Sequence, residues 1–225
     1  MKPKAYFNWS SGKDSSLALY KSLMEYDIAT LYTSINRETQ RVSMHGVKVD
    51  LLKKQAESIG IPLTILSLTP TLSMEDYEKE LLTSLNRFKK ENINTAIFGD
   101  IFLEDLKNYR TEQLKKIEIS AVFPIWKMST ENVIEELIDL GFKAVVTCID
   151  NSVLDKSFVG RIVDKDFIKD LPTNVDVCGE NGEFHTFVFD GPIFSKPIKF
   201  EIGEKVYKEC EENNKTYGFW YCDLV

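Results

Sequence analysis

No stretch of this chain approaches the roughly 18 consecutive apolar residues of a membrane-spanning helix, which argues against a helical anchor within it. The opening Met-Lys-Pro-Lys precedes no apolar run of signal-peptide length, so the sequence reads as cytoplasmic. Cysteine is sparse: Cys148, Cys178, Cys210 and Cys222 form no C-x-x-C pair and no zinc spacing. Structural thiols are expected rather than a metal ribbon or a redox couple. Positive charge is in deficit, with 28 Lys and Arg against 35 Asp and Glu and a net charge of −7. A duplex nucleic-acid surface needs a basic face, so that partner class is disfavoured. Internal repeats, low-complexity tracts and long like-charge blocks are also missing. What remains is an ordinary globular composition, 43% hydrophobic and 28% charged over 225 residues. That length allows one large domain or one domain with a small appendix.

The densest local signal is Trp9-Ser10-Ser11-Gly12-Lys13-Asp14-Ser15-Ser16. It follows a short apolar run from Ala5 and opens a helical pattern through Leu17, Ala18, Leu19 and Leu23. A strand, a small-residue turn and a helix start together make an anion site, because the first N–H groups of a helix are unpaired and carry partial positive charge. Gly12 lets the backbone approach an anion. Ser10, Ser11, Ser15 and Ser16 add hydroxyls, and Lys13 adds a full charge. The spacing is not that of the Walker A loop, because Asp14 follows the lysine directly. A carboxylate inside a phosphate cradle needs a bridging cation, and Mg²⁺ suits because it takes one or two carboxylates plus phosphate oxygens. Ser11 is strained if the turn needs positive φ there and is simply another donor if it does not. The plain alternative for the whole segment is a helix N-cap in a polar turn.

Apolar runs alternate with helical patterns through the first two-thirds of the chain. Strands are expected at 4–9, 29–35, 63–68, 94–99, 120–123 and 143–149, and helices at 15–26, 46–59, 74–91, 103–117 and 129–140. This rhythm predicts an α/β fold with a parallel sheet, whose ligands bind at the carboxyl ends of the strands. The loop at Ser10, Thr33–Asn36 with Ser34 in it, and Gly99-Asp100 all fall on that edge. Beyond residue 150 the chain turns polar and turn-rich. It then carries strand-like runs at Phe184–Phe189, Ile198–Ile202 and Tyr217–Leu224, which predicts a smaller β-rich unit.

Other segments carry two readings each. Asp100 is either a Mg²⁺ or ribose ligand or the cap of the following helix, on which Arg110 is either a carboxylate fork or an exposed arginine. Arg41 and His45 contact phosphate or substrate, or serve a helix start in which Ser43 caps. In Cys178-Gly179-Glu180-Asn181-Gly182-Glu183-Phe184-His185, two glutamates bracket a tight turn before a strand. Their possible roles are Mg²⁺ binding, amine binding or, for Glu183, general base, and the alternative is a solvated turn. The direction in which His185 faces depends on register. Lys156 and Arg161 form either a lid over polyphosphate or a charged linker.

The loop resembles the S-G-G-x-D-S pyrophosphate loop of the N-type ATP pyrophosphatases, with Ser11 in place of its first glycine. More of the chain joins the match: Gly99-Asp100 and the Tyr109-Arg110 helix, Phe123-Pro124-Ile125-Trp126, Phe158-Val159-Gly160-Arg161, and Cys178 to Phe184 with Phe189-Asp190-Gly191-Pro192. On these residues the chain is similar to the diphthine–ammonia ligase family and its uncharacterised relatives. The resemblance implies a HUP-like, Rossmann-like nucleotide domain over 1–150 and a smaller α+β domain for the acceptor over 151–225. It implies ATP with Mg²⁺, adenylation of an acceptor carboxylate with release of pyrophosphate, and attack by ammonia or an amine. Under it Lys13, Asp14 and Glu183 are catalytic, and Asp14 and Asp100 hold the metal. Ser10, Ser11, Gly12, Lys13, Asp14, Ser15, Ser34, Gly99 and Asp100 hold the nucleotide. Arg41, His45, Arg110, Arg161, Glu180, Glu183 and His185 face the acceptor. That acceptor is a modified protein side chain or a small molecule, and a homodimer is left open. Two departures bear on it: Arg41–Gly46 looks like the uncharacterised branch, and His185 stands where the ligase pattern has an acidic residue. A nucleotide sensor without turnover is the alternative from another class. A third reading is tRNA thiolation by the same loop, which usually needs reactive cysteines and an RNA-binding surface.

Overall fold

The computed structural model describes residues 1–42, 45–69, 71–212 and 215–225, so Ser43 lies outside the described residues. Ten strands and six α-helices are seen among the described residues. The first sheet holds β1 (Lys4–Asn8), β2 (Asp27–Asn36), β3 (Arg41–Val42), β4 (Leu63–Leu68), β5 (Thr95–Ile97) and β6 (Ser120–Val122). Its order is β3-β2-β1-β5-β6, with β4 also paired to β2. All pairs are parallel except β2–β3. The chain leaves β1 toward β2 on one side and later places β5 on the other, so the sheet reverses its winding at β1. The helices are α1 (Lys13–Ser22), α2 (Val49–Ile59), α3 (Met74–Lys90), α4 (Glu104–Lys115), α5 (Thr130–Asp139) and the short α6 (Lys165–Asp170). The expected α/β architecture with a parallel sheet is therefore the one found.

Local chemistry explains the element ends. Ser73 and Ser129 cap α3 and α5 by accepting from the N–H groups of Asp76 and Asn132. Helix α2 carries its apolar stripe on Leu51, Leu52 and Ala56, and it begins at Val49 rather than 46. Among the described residues no helix is long and apolar enough to cross a membrane.

The second sheet is antiparallel throughout, in the order β8-β7-β10-β9. It comprises β7 (Lys143–Asp150), β8 (Phe184–Asp190), β9 (Ile202–Glu212) and β10 (Lys215–Leu224). This corrects two expectations. Strand β7 continues the apolar rhythm of the first unit but pairs with the C-terminal strands, so sheet membership changes at Lys143 and not after residue 150. An apolar run buried on both faces reads the same in a parallel or an antiparallel sheet. The run 198–202 is not a strand, and β9 starts where it was expected to end. One apolar cluster joins the two sheets, running from Phe7, Trp9 and Leu17 through Val133 and Val145 to Phe184 and Phe187. A second, under α3 and α4, gathers Tyr6, Tyr32, Leu85, Phe88 and Phe98.

Candidate nucleotide site

The turn between β1 and α1 is built from its own polar groups. Gly12 N–H donates to Ser10 Oγ at 3.3 Å, and the hydroxyls of Ser15 and Ser16 donate to the Gly12 carbonyl at 3.0 and 2.9 Å. Ser11 adopts φ 72°, so the strained reading of that position is the one realised. For a non-glycine residue this conformation costs about 1–2 kcal/mol. Two atoms of the turn, Ser11 Oγ and Asp14 Oδ1, are buried with no hydrogen-bond partner. Buried polar atoms are normally satisfied, and of these two residues Asp14 alone lines the cavity described below.

The second sheet closes over this turn. Lys13 N–H donates to Thr186 Oγ1 on β8 at 3.1 Å, and Val188 N–H donates to the Ser11 carbonyl at 2.9 Å. His45 Nδ1 donates to the Thr186 carbonyl at 3.1 Å. A Cβ at Gly12 would come within 2.8 Å of His45 Cε1, so only glycine lets the imidazole sit against the turn. On the other side, a Cβ at Gly99 would sit 3.0 Å from the backbone of Ser15, so β5 also ends tight against α1.

A cavity of about 690 Å³ opens at this junction, the size of a small-molecule site. Its polar end is lined by Ser10, Lys13, Asp14, Ser15, Ser34, His45, Gly99, Asp100, Arg110, Glu180 and His185. Its apolar end lies between the sheet and helices α3 and α4, against Tyr6, Tyr32, Tyr77, Leu81 and Leu85. The reversal point of the parallel sheet predicts a crevice here.

The charges in the cavity influence one another. Lys13 Nζ is 2.8 Å from Asp14 Oδ2 and lies over the Phe184 ring. Burial works against its charge, but the adjacent Asp14 carboxylate outweighs burial and raises its pKa, so it stays protonated. Asp100 is ion-paired with Arg110, whose guanidinium lies over Phe98. Burial, reinforced by Asp14, nevertheless holds the Asp100 carboxyl above the usual range. Burial and Asp14 push Glu180 up to about 8. His45 and His185 lie with ring centroids 4.8 Å apart. Burial drives both below the ordinary imidazole range, His185 to about 3, so they form a neutral pair.

Expected site residues that do not line the cavity are Ser11, Gly12, Arg41, Arg161 and Glu183. Glu183 does not line the cavity; its oxygens accept from Asp176 N–H, Asn181 N–H and Asn181 Nδ2 at 2.8–3.0 Å, which ties the 176–183 turn together. Arg161 pairs with Asp170 at 2.8 Å and lies against Phe158 and Phe167, and Lys156 lies over Trp220, so neither lines the cavity. Arg41 is held by Asp223 and the Gly46 carbonyl, also outside the cavity wall. Residues that the sequence reading passed over include Thr186, Tyr6, Tyr32 and Gln55. For Gln55 the signal was a polar side chain on the buried stripe of α2.

Among the described residues no cluster of three or more His, Cys, Asp or Glu could hold a metal. Asp14, with its free buried oxygen, and Asp100 fit a cation that draws its other ligands from phosphate. The Cys178 thiol is buried, donates to the Thr130 carbonyl and has its pKa raised, chiefly by burial. A buried thiol held neutral is a poor nucleophile.

The sequence of the chain matches known proteins. A model of the diphthamide synthase N-terminal domain matches residues 3–119, and one of the C-terminal domain matches 129–217. The chain is 30% identical to a diphthine–ammonia ligase of Mus musculus and 28% identical to one of Bos taurus, over 124 residues in each case. Those alignments cover 52% of this chain and 46% of each relative, so the match spans about half of their length. A diphthine–ammonia ligase of Danio rerio aligns at 25% identity over 173 residues, 70% of this chain and 67% of the relative. A crystal structure of a "predicted subunit of tRNA methyltransferase" from Methanocaldococcus jannaschii superposes with TM-score 0.44 and 14% identity. It covers 87% of this chain and 99% of that one.

Proposed function

The chain belongs to the diphthamide synthase family, and on that premise we propose that it is an ATP-dependent ligase that adenylates an acceptor carboxylate and transfers the acyl group to ammonia. One observation carries the reading: a helix N-terminus with Lys13 and Asp14, the Asp100–Arg110 pair and Glu180 converge on one cavity. In the first step an acceptor carboxylate oxygen attacks the α-phosphorus of ATP, the bond to the bridging oxygen breaks, and pyrophosphate leaves. In the second, nitrogen attacks the acyl carbon, AMP leaves with the C–O electron pair, and one proton of the nitrogen goes to a base.

The residues divide this work. Lys13 and the N–H groups of the turn stabilise charge on the departing pyrophosphate. Asp14, through its unpartnered oxygen, and Asp100 would hold Mg²⁺, and Arg110 offers a fork for the acceptor carboxylate. When bound, the cation neutralises phosphate charge. Glu180, rather than Glu183, is the carboxylate at the reacting end and takes the proton from nitrogen. His185 supplies a neutral wall where the ligase pattern has a carboxylate, which favours an acceptor of different charge. The chain works in the cytoplasm in this reading.

The test is incubation with α-³²P-labelled ATP, Mg²⁺ and ammonium, with and without a clarified cell extract as acceptor source. Labelled AMP that forms only with extract supports the reading. Tight ATP binding without AMP under any condition replaces it with a nucleotide sensor, and labelled ADP overturns the reaction class. Asp14→Asn is expected to abolish Mg²⁺-dependent AMP formation and leave the thermal unfolding transition in place; wild-type turnover in that variant removes Asp14 from the mechanism.

A further inference from the structure

Gln55 is fully buried on α2, and its amide is bonded on both ends. Its Oε1 accepts from Trp9 Nε1 at 2.9 Å, and its Nε2 donates to the Ser11 carbonyl at 3.2 Å and to the Val188 carbonyl at 2.6 Å. The orientation is fixed by chemistry, because an indole N–H only donates and a carbonyl only accepts. The side chain thus joins three elements at one point: the residue that ends the β1 run, the turn into α1, and β8 of the second sheet. The carbonyl it holds belongs to Ser11, the one residue of the turn in the left-handed region. That carbonyl also accepts from Val188 N–H at 2.9 Å, so the strained peptide is gripped from two sides. Glycine would hold this conformation without help, whereas serine needs a restraint.

We infer that Gln55 is a positioning residue: it clamps Ser11 in its left-handed conformation, sets the path of the turn into α1, and so aligns the nucleotide loop. The clamp rests on the ligase reading only for its effect on ATP.

The test is a two-site cycle with Gln55→Met, which keeps the shape and removes the amide, and Ser11→Gly, which removes the need for the amide. Two readouts are used: the amide ¹H–¹⁵N shifts of Lys13 and Asp14, and the dissociation constant of α,β-methylene ATP with Mg²⁺. Gln55→Met is expected to move both shifts and to weaken the nucleotide about tenfold. In the double variant both shifts should return to those of Ser11→Gly alone, and most of the affinity should return with them. A double variant that behaves like Gln55→Met overturns the clamp and leaves Gln55 as ordinary core polarity. If Gln55→Met does not fold, a folded double variant supports the clamp and an unfolded one overturns it. A wild-type chain that binds no nucleotide defeats the ligase reading, while the shifts still decide the clamp.

Discussion

Glu180 and Glu183 stand three positions apart in one turn, and their surroundings separate them. The Glu183 carboxylate is spent on three N–H donors of its own loop, so Glu183→Gln turns an NH₂ toward donors and is expected to cost about 1–3 kcal/mol. A lowered thermal midpoint checks this. Glu180 faces the cavity with a raised pKa, so Glu180→Gln should keep or raise the midpoint while removing the rise in AMP formation with pH toward about 8. A profile unchanged by Glu180→Gln would take the proton-acceptor role from it. The neutral imidazole pair gives a prediction for stability rather than activity. His185 titrates near 3 in the fold and near 6.5 unfolded, so below pH 6.5 the unfolded chain binds the extra proton. Its contribution is complete above pH 6.5 and is lost progressively toward pH 3. Replacing His185 with Gln should flatten the fall of the thermal midpoint across that window. At this scale the place of Gly12, Lys13 and Asp14 at a helix start just after a strand was legible, because residue type and spacing mark such a start. Glu183 against Glu180 was not, because which carboxylate faces the cavity is decided by the path of the turn.

Helix α1 and strand β5 meet where the sheet reverses, and their fit depends on the missing side chain of Gly99. In Gly99→Ala the new Cβ would lie 3.0 Å from backbone atoms of Ser15, so the start of α1 must give by a few tenths of an ångström. Affinity for α,β-methylene ATP is expected to fall about three- to tenfold, with α1 still formed by circular dichroism. Elements of this kind were readable from period and punctuation. Strand β4 spans the expected residues, and α3 and α5 differ from expectation only at their ends. The hairpin of β9 and β10 was half-read. β9 is largely exposed and carries Glu204, Lys205, Lys208 and Glu209, so no buried face writes an alternation into its sequence. β7 was read as a strand but assigned to the wrong sheet, since partner choice is a long-range property that its own composition does not encode.

Across the whole molecule, the turn between β1 and α1 and the second sheet form one structure. A single apolar cluster spans both sheets, and β8 supplies Thr186 and Val188 to the turn that β1 and α1 begin. Calorimetry of the full chain is therefore expected to show one unfolding transition, and a fragment of residues 1–142 should lack a cooperative one. Two separate transitions would show that the sheets fold independently. The arrangement also sets an order in time. The bond from Lys13 to Thr186 joins residues 173 positions apart. A ribosome adds residues at about 5–20 per second, so the brace emerges roughly 9–35 s after the turn it seals. For that interval the growing chain carries the complete turn between β1 and α1, but the strand that holds it in shape has not yet been made.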